Sequence, residues 1–586
     1  MPLSNQQLAD LFNDIADRLE IQGEVVFKVR AYRTAAENIA SHPRPLAELW
    51  AEGKLDEVSG VGKEIAKKID ELMRTGQLAF YERLRAEVPD GVAALLRVPG
   101  VGPKRAKEFW EKLGVDSIEA LEAAARAGKL RALPRMGERA EQSILAGIDA
   151  LKRRAVGRFR LGDVRPLAER LIAALRAVPS VYAVEAAGSL RRGKETIGDL
   201  DLLVATDDPA PVIRAFLEQP GVAQVLAAGE TKASVRLENG LQVDIRALSP
   251  RVWGTALQYF TGSQQHNIRI REIAQRQGFS LNEYALTRLA DGAEEQFADE
   301  ASLYARLGMA WIPPELREDR GEIEAALAAG PGGQVVPDLV ALADLRGDLQ
   351  MHTAWSDGTG DVMGMARAAI ALGYEYILIT DHTAGLGIAN GLTPSRLADQ
   401  RREIDAVNAQ LLREGVRFRV LQGAEVEVRS DGSLDLPDEA LAQLDLVQIA
   451  LHTGLNQPRE KITARVLRAL ENPFVHILGH PSGRLLNERD GADCDWEAVF
   501  QAAKARGVAL EINSDPARLD LSDVLARRAA ELGCWLSIST DAHAPEGLSS
   551  ITYGITVARR AWVPARQVIN TWPLERLLAW ARRTHT

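Results

Sequence analysis

The chain of 586 residues has only two cysteines, Cys494 and Cys534. So few thiols exclude a disulfide scaffold and a thiolate-rich zinc cluster, and they fit a reducing compartment. No apolar run approaches the roughly 20 residues that span a bilayer. The opening MPLSNQQLADLFND has neither a basic n-region nor an apolar h-region. The expectation is a cytoplasmic protein without membrane contact. An excess of positive charge is missing too, since 71 basic residues face 81 acidic ones for a net charge of −10. That excludes a uniformly basic sleeve for nucleic acid and leaves room for a local basic surface. The composition, 46% hydrophobic and 26% charged, is globular. At roughly 150 residues per domain the length suggests about four folding units.

What is present is unevenly placed. Residues 151–200 hold eleven Lys and Arg against five Asp and Glu, with Lys152, Arg153, Arg154, Arg158 and Arg160 close together. A solvated helix face explains such a run as well as a DNA contact does. Six of the nine histidines (His352, His382, His452, His476, His480 and His543) fall between 351 and 543, a first sign of a metal site.

The first 150 residues read as short amphipathic helices that contain a repeated pattern: VSGVGKEIAKKI (58–69), VPGVGPKRAKEF (98–109) and LPRMGERAEQSI (133–144). Two glycines flanking one apolar residue permit a tight turn between helices. The turn's N–H groups and the next helix N-terminus can then hold a phosphate. Gly60, Gly62 and Lys63, and Gly100, Gly102 and Lys104, are the candidate DNA-backbone contacts. One copy is compatible with an ordinary helix–helix turn. Two clear copies and a weaker third, with Arg135 in place of the first glycine, favour DNA binding.

The stretch GSLRRGKETIGDLDLLV (188–204) places Asp199 and Asp201 two apart on an expected strand, so their side chains share a face. Asp244 in LQVDIRAL lies on a neighbouring expected strand, and Asn239-Gly240 reads as the turn of a hairpin. An Asp-x-Asp pair alone is common on exposed edges. With Asp244, Gly188-Ser189 and Arg191-Arg192 beside it, the set suits two-metal phosphoryl transfer. In that chemistry the acids hold two Mg²⁺, and the Gly-Ser backbone and Arg192 take triphosphate oxygens.

These motifs, with VDIR and YFTGSQQHN (259–267), resemble family X DNA polymerases, the group containing DNA polymerase beta, over about residues 1–325. The resemblance implies that Asp199, Asp201 and Asp244 bind the metals. It puts Gly188, Ser189, Arg192 and Gly198 around the incoming triphosphate and Tyr259 and Phe260 beside its sugar. Asn267 and Arg271 match positions touching the incoming base and the template strand. It also implies that the first hairpin repeat binds the 5′-phosphate side of a gap. Lys68 aligns with a lysine that forms a Schiff base with 5′-deoxyribose phosphate in some members; a phosphate-contacting lysine is the alternative.

Beyond the Gly/Pro-rich stretch AAGPGGQVVP (328–337), strand-like and helical segments alternate (YILITD, FRVLQGAEVEV, LDLVQIALH, VHILGH, VALEIN, LSISTD). That alternation predicts parallel strands with helical crossovers, as in a barrel. His352, Asp357, His382, Glu425, His452, His480, Asp541 and His543 nearly all sit at expected strand C-termini, which converge on one face of such a barrel. Singly, each histidine is explained as a satisfied loop residue. Together they suit Zn²⁺ or Mn²⁺ and hydrolysis of a phosphoester. His476 lies two residues upstream of its strand end and is left out, and both cysteines read as core. The motifs look like the PHP (polymerase and histidinol phosphatase) domain over roughly 340–575. That family implies a distorted seven-stranded α/β barrel with up to three metals on nine residues. Gln350 stands where the pattern has a histidine, and a neutral amide oxygen is a weak ligand.

The expected fold is multidomain, α and α/β. Its parts are an N-terminal helical DNA-binding domain (1–90), a fingers-like helix-hairpin-helix domain (91–160), a nucleotidyltransferase-type palm (161–250), a thumb-like domain (251–327), a linker (328–340) and a distorted (β/α)7 PHP barrel (341–586). The expected function is gap filling in DNA repair by a monomer acting on gapped or nicked duplex DNA and dNTPs. A PHP-domain 3′-5′ exonuclease and an AP endonuclease are expected beside it. The alternatives are a PHP phosphoesterase merely tethered to DNA, or a DNA-end scaffold, with one of the two sites inactive.

Overall fold

The computed structural model describes residues 5–583 apart from 41, 43, 45, 59, 99, 134–135, 138–139, 143, 146–147, 149–156 and 387–388. Arg135 and the basic run Lys152, Arg153 and Arg154 therefore lie outside the described residues. The chain divides into two compact units, Met1–Gly157 and Arg158–Thr586. Among the described residues no helix is long and apolar enough to cross a membrane.

The first unit is helical, with one core formed between Leu8 and Leu84 and a second that runs from Val88 to Ile148 and takes in Ile21. Its hairpin turns repeat one geometry. Val61 N–H donates to Val58 and Val101 N–H to Val98, while Gly60 (φ +79°) and Gly100 (φ +86°) take the left-handed conformation. Gly62 and Gly102 then cap helices Lys63–Thr75 and Pro103–Leu113. The flanking valines are buried, as are Ile65, Ile69, Ala106 and Phe109, so the apolar positions of the motif build the core while its glycines and lysines stay outside. The third copy keeps the Leu133–Met136 turn bond.

The second unit opens with a five-stranded sheet: β1 (Val181–Ala186), β2 (Asp199–Thr206), β3 (Val222–Ala228), β4 (Lys232–Leu237) and β5 (Gln242–Leu248). The spatial order is β1-β2-β5-β4-β3, with β2 and β5 parallel. Leu200, Leu202 and Val204 pack with helices Leu161–Arg176 and Pro209–Leu217 in one core. The alternate residues 199, 201 and 203 therefore face the other side, where Leu203 packs with helix Trp253–Thr261. A separate core from Ile270 to Val335 follows, around helix Gln264–Arg276 and a small antiparallel sheet.

Next come eight short strands: β6 (Gly347–Asp348), β7 (Tyr376–Ile379), β8 (Arg419–Gln422), β9 (Glu425–Glu427), β10 (Gln448–Ala450), β11 (Ile477–Leu478), β12 (Ala509–Asn513) and β13 (Leu536–Ser539). All their pairings are parallel, β6-β7-β8 in one sheet and β9 to β13 in another. β9 follows β8 after two residues, and the parallel bridges His382–Glu425 and Met351–Ala542 carry pairing across both gaps. Pairing thus runs round a ring. Burial on both faces accounts for the unbroken apolar runs in these strands.

Candidate active sites

On the open sheet, the parallel register of β2 and β5 puts Asp201 directly opposite Asp244, and Asp199 opposite Gln242. Asp199 is exposed while Asp201 and Asp244 are half-buried. Burial pushes the Asp201 carboxyl up to about 7, and the neighbouring Asp199 and Asp244 charges push the same way. Three carboxylates crowded without a cation repel one another, and a divalent ion relieves that repulsion. Asp244 accepts from Ser234 Oγ and from Gln242 Nε2 (3.0 Å), which fixes its orientation. Gly188 has φ +56°, and a Cβ there would lie 2.4 Å from Asp201 Oδ2. Glycine is thus required twice, for its conformation and for close approach. Gly198 passes under Arg158, whose Nη1 would be 3.4 Å from a Cβ. Ser189 lies in the short helix Gly188–Arg191, and its carbonyl accepts from Lys194 N–H at 3.0 Å.

The remaining expected nucleotide residues form a neighbouring cluster. Tyr259 and Phe260 meet edge to face with centroids 5.1 Å apart, and the Arg246 guanidinium lies 4.7 Å from the Phe260 ring. Asn267 donates to the Tyr259 carbonyl (2.6 Å) and accepts from Gln258 (3.0 Å), so its amide is engaged within the protein. Arg271 is exposed and donates to the Asn267 carbonyl at 3.3 Å. Arg192 is pinned, Nε on Glu318 (3.0 Å) and Nη1 on the Thr261 carbonyl (2.8 Å). In the first unit, Lys63 and Lys104 are exposed beside their glycine turns. Lys68 Nζ sits 5.0 Å from the Phe80 ring centre and 3.4 Å from the Glu64 carbonyl.

At one end of the ring all eight expected ligands converge, seven of them beyond strand C-termini and Glu425 at the start of β9. Three sets have ligand atoms within 4.8 Å of one another: His352, Asp357, His382 and His543; His382, Glu425 and His452; and His352, Glu425 and Asp541. His480 joins through Nε2, 2.7 Å from Glu425 Oε1. The His352 ring stacks against His382 and His543 at 4.4 and 4.3 Å. His352 Nε2 lies 3.2 Å from Glu425 and 3.0 Å from Asp541, yet both its ring nitrogens are buried without an aligned hydrogen bond. Imidazole nitrogens and carboxylate oxygens at such spacing suit shared cations better than a hydrogen-bonded network.

The electrostatics agree. Burial would lower His352 and His452, but Asp541, Glu425 and Glu427 overcome it, so His352 is held well above its ordinary value and His452 is raised to about 9. Burial dominates at His382, lowered to about 4. Glu425 and Asp541 stay ionised against their burial because histidines surround them. His480 (φ +23°) and Asp541 (φ +57°) occupy left-handed backbone rare for such residues, strain of a kind that gathers at functional sites.

Gln350 is fully buried. Its Nε2 donates to Glu425 Oε2 at 3.0 Å and its Oε1 accepts from Asn513 at 3.3 Å. The amide therefore occupies the histidine's place as a hydrogen-bonding group. His476 accepts from Val447 N–H and faces the Ala581 carbonyl at 3.0 Å, a structural pairing away from the ligands. Both cysteines are buried.

Several supporting residues escaped the sequence reading. Glu427 meets His452 Nδ1 at 2.6 Å and orients that ring. Its signal was its place two residues past Glu425 on the same strand face. Asp381 accepts from Thr353, Ser356 and Gln400 and so ties the 352–357 loop to β7's end. Glu511 accepts from His480 N–H, and burial together with Asp541 and Glu425 holds its carboxyl well above the usual range.

Comparison with known proteins bears on both sites. A model of the DNA polymerase beta thumb matches residues 256–318. A helix-hairpin-helix domain matches 3–78 and a SAM-like helix-hairpin-helix tandem matches 92–150. The DNA polymerase/3′-5′ exonuclease PolX of Bacillus subtilis (strain 168) is 37% identical over 583 residues, 99% of this chain and 100% of that protein. The chain belongs to the PolX family. Two relatives cover the C-terminal part of this PolX chain only. A probable phosphatase of Thermoanaerobacter sp. (strain X514) is 29% identical over 217 residues, 35% of this chain and 82% of the relative. Another, of Caldanaerobacter subterraneus, is 27% identical over 235 residues, 38% of this chain and 86% of the relative. The expected family X resemblance and the helix-hairpin-helix reading both hold.

Proposed function

We propose that this PolX chain is a DNA-directed DNA polymerase that fills short gaps during repair, and that its barrel is a metal-dependent phosphoesterase that removes nucleotides from 3′ ends. The observation that carries the first half is the register that sets Asp201 against Asp244 with Asp199 beside them and only glycine at 188. The donor set fits two Mg²⁺ on these three acids, and Mn²⁺ or Zn²⁺, up to three ions, on the eight barrel ligands. When bound, such ions activate a 3′ hydroxyl or a water and offset charge on the phosphate.

The chain's own residues do the rest. Asp201 gives up its proton before a cation binds. Ser234 and Gln242 hold Asp244 in place, and Gly188, Ser189, Arg192 and Gly198 line the triphosphate. Tyr259 and Phe260 flank the sugar, Asn267 the base and Arg271 the template. The turns at Gly60, Gly62 and Lys63 and at Gly100, Gly102 and Lys104 hold the DNA backbone by its phosphates. Lys68 is the candidate lyase nucleophile. In the barrel, Glu427 fixes the His452 ring, and incision at abasic sites is the further activity proposed. The working domains are 1–90, 91–160, 161–250, 251–327 and 341–586, in a cytoplasmic monomer.

Gln350 favours one second reading, a barrel with a weakened metal position whose main role is support of the polymerase. Both readings meet one assay: a labelled one-nucleotide gap, dNTPs, and Mg²⁺ or Mn²⁺. Extension together with 3′ shortening supports the proposal. Extension without shortening in either metal selects the second reading, and no extension rejects both.

A further inference from the structure

The loop Arg192–Glu195 leads from the short helix of the triphosphate motif to strand Thr196–Ile197, and the barrel grips it from two sides. On one side is helix Ile551–Arg560. Gly193 (φ +63°) lies so close to it that a Cβ would come within 2.0 Å of Thr556 Cγ2. Arg560 donates to the Arg192 carbonyl (2.6 Å), to Glu318 Oε1 (3.1 Å) and to Asp523 Oδ2 (2.8 Å). On the other side Arg484 donates to Glu195, to the Arg518 carbonyl at 3.0 Å and to the Leu519 carbonyl.

Glu318 joins the two halves of this unit. It takes Arg192 Nε at 3.0 Å, faces Lys194 Nζ at 3.6 Å, and is itself held by Arg560. Side-chain exposure is 3% at Arg560 and 9% at Glu318. Burial would raise Glu318, but Arg560, Lys194 and Arg192 outweigh it and keep it ionised. Arg320 adds a fourth cation on Asp523 at 3.1 Å. Four cations thus gather around two carboxylates, an excess that suits a polyanion beside the cluster. With Nε and Nη1 spent on Glu318 and Thr261, Arg192 has Nη2 without a hydrogen bond among the described residues. A guanidinium pinned at two nitrogens presents the third in a fixed direction.

We propose that Arg560 and Asp523 of the barrel are positioning residues for nucleotide addition, fixing Arg192 at the triphosphate through Glu318. This rests on the polymerase reading above. It assigns the barrel a part in synthesis that does not involve its metal ligands.

The test measures KM and kcat for dNTP on a one-nucleotide gap with full-length Arg560→Met, Glu318→Gln, the double variant and Asp523→Asn. Loss of a charge-assisted bond predicts about a ten-fold rise in KM for each of the first two, with kcat within about two-fold. The double variant should be no worse than the larger single, because both act through one contact. Hydrolysis of thymidine 5′-p-nitrophenyl phosphate by the barrel should be unchanged. A structural role alone lowers the active fraction and leaves KM where it was. Unmoved KM in folded Arg560→Met, or shifts that multiply in the double variant, overturns the inference. If Arg560→Met does not fold, unmoved KM in Asp523→Asn does the same. A wild-type chain that adds no nucleotide removes the polymerase reading and this inference with it, whereas incorporation with KM unmoved removes the inference alone.

Discussion

Asp201 carries a testable consequence of crowding. Its folded carboxyl titrates at about 7 against an ordinary 3.8, with burial the main cause. Between those values the folded chain binds more protons than the unfolded one, so metal-free stability falls as pH rises through that window. Asp201→Asn should therefore stabilise the metal-free protein by an amount that grows from pH 4 to about 7 and then levels off, as melting temperatures across pH will show. A constant difference contradicts it. Gln350→His should tighten Mn²⁺ binding by about ten-fold, because a neutral imidazole replaces an amide bonded to Glu425; calorimetric titration checks this. The convergence of the barrel cluster was legible in the sequence because His, Asp and Glu at strand ends have few structural uses together. Glu318 and Glu427 were not legible. Glu318 matters through Arg192, 126 positions away, and Glu427 through the orientation of one ring.

The helix-hairpin-helix turn and the parallel strand are the elements whose sequence signals were clearest. Gly60 takes φ +79° and a Cβ would meet Asn38 and Thr34 at 3.0 Å. Gly60→Ala should cost about 1–2 kcal/mol in the first unit and weaken binding to gapped DNA, with a shallower dependence on salt, because fewer phosphates are held. Unchanged affinity and salt slope would show that this turn does not touch DNA. The strands of the ring were legible as apolar runs because both their faces are buried, and the Asn239-Gly240 hairpin because Gly240 supplies φ +88°. Strand β6 escaped notice, since two residues carry no period. The FRVLQGAEVEV run read as one segment, whereas Gly423 and Ala424 divide it into β8 and β9. That break lets Glu425 start β9 and bridge His382.

At the scale of the molecule, each of the units Met1–Gly157 and Arg158–Thr586 has hydrophobic cores of its own among the described residues. A fragment 158–586 should therefore fold alone and keep phosphodiester hydrolysis, while its affinity for gapped DNA falls; a fragment without a cooperative melt contradicts this. Within that second unit the carboxylate cluster of the open sheet and the histidine-rich cluster of the ring ride on one body joined by buried ion pairs. That joining was invisible in the sequence, which showed only a Gly/Pro-rich linker between the two parts. The most direct measurement takes the wild-type chain, Asp201→Ala and Asp541→Ala on one labelled gapped duplex with dNTPs, scoring lengthening and shortening in the same lane. Asp201→Ala should lose lengthening by at least about a hundred-fold and keep shortening, and Asp541→Ala should do the reverse. Loss of both activities in either folded variant would contradict the assignment of two independent centres.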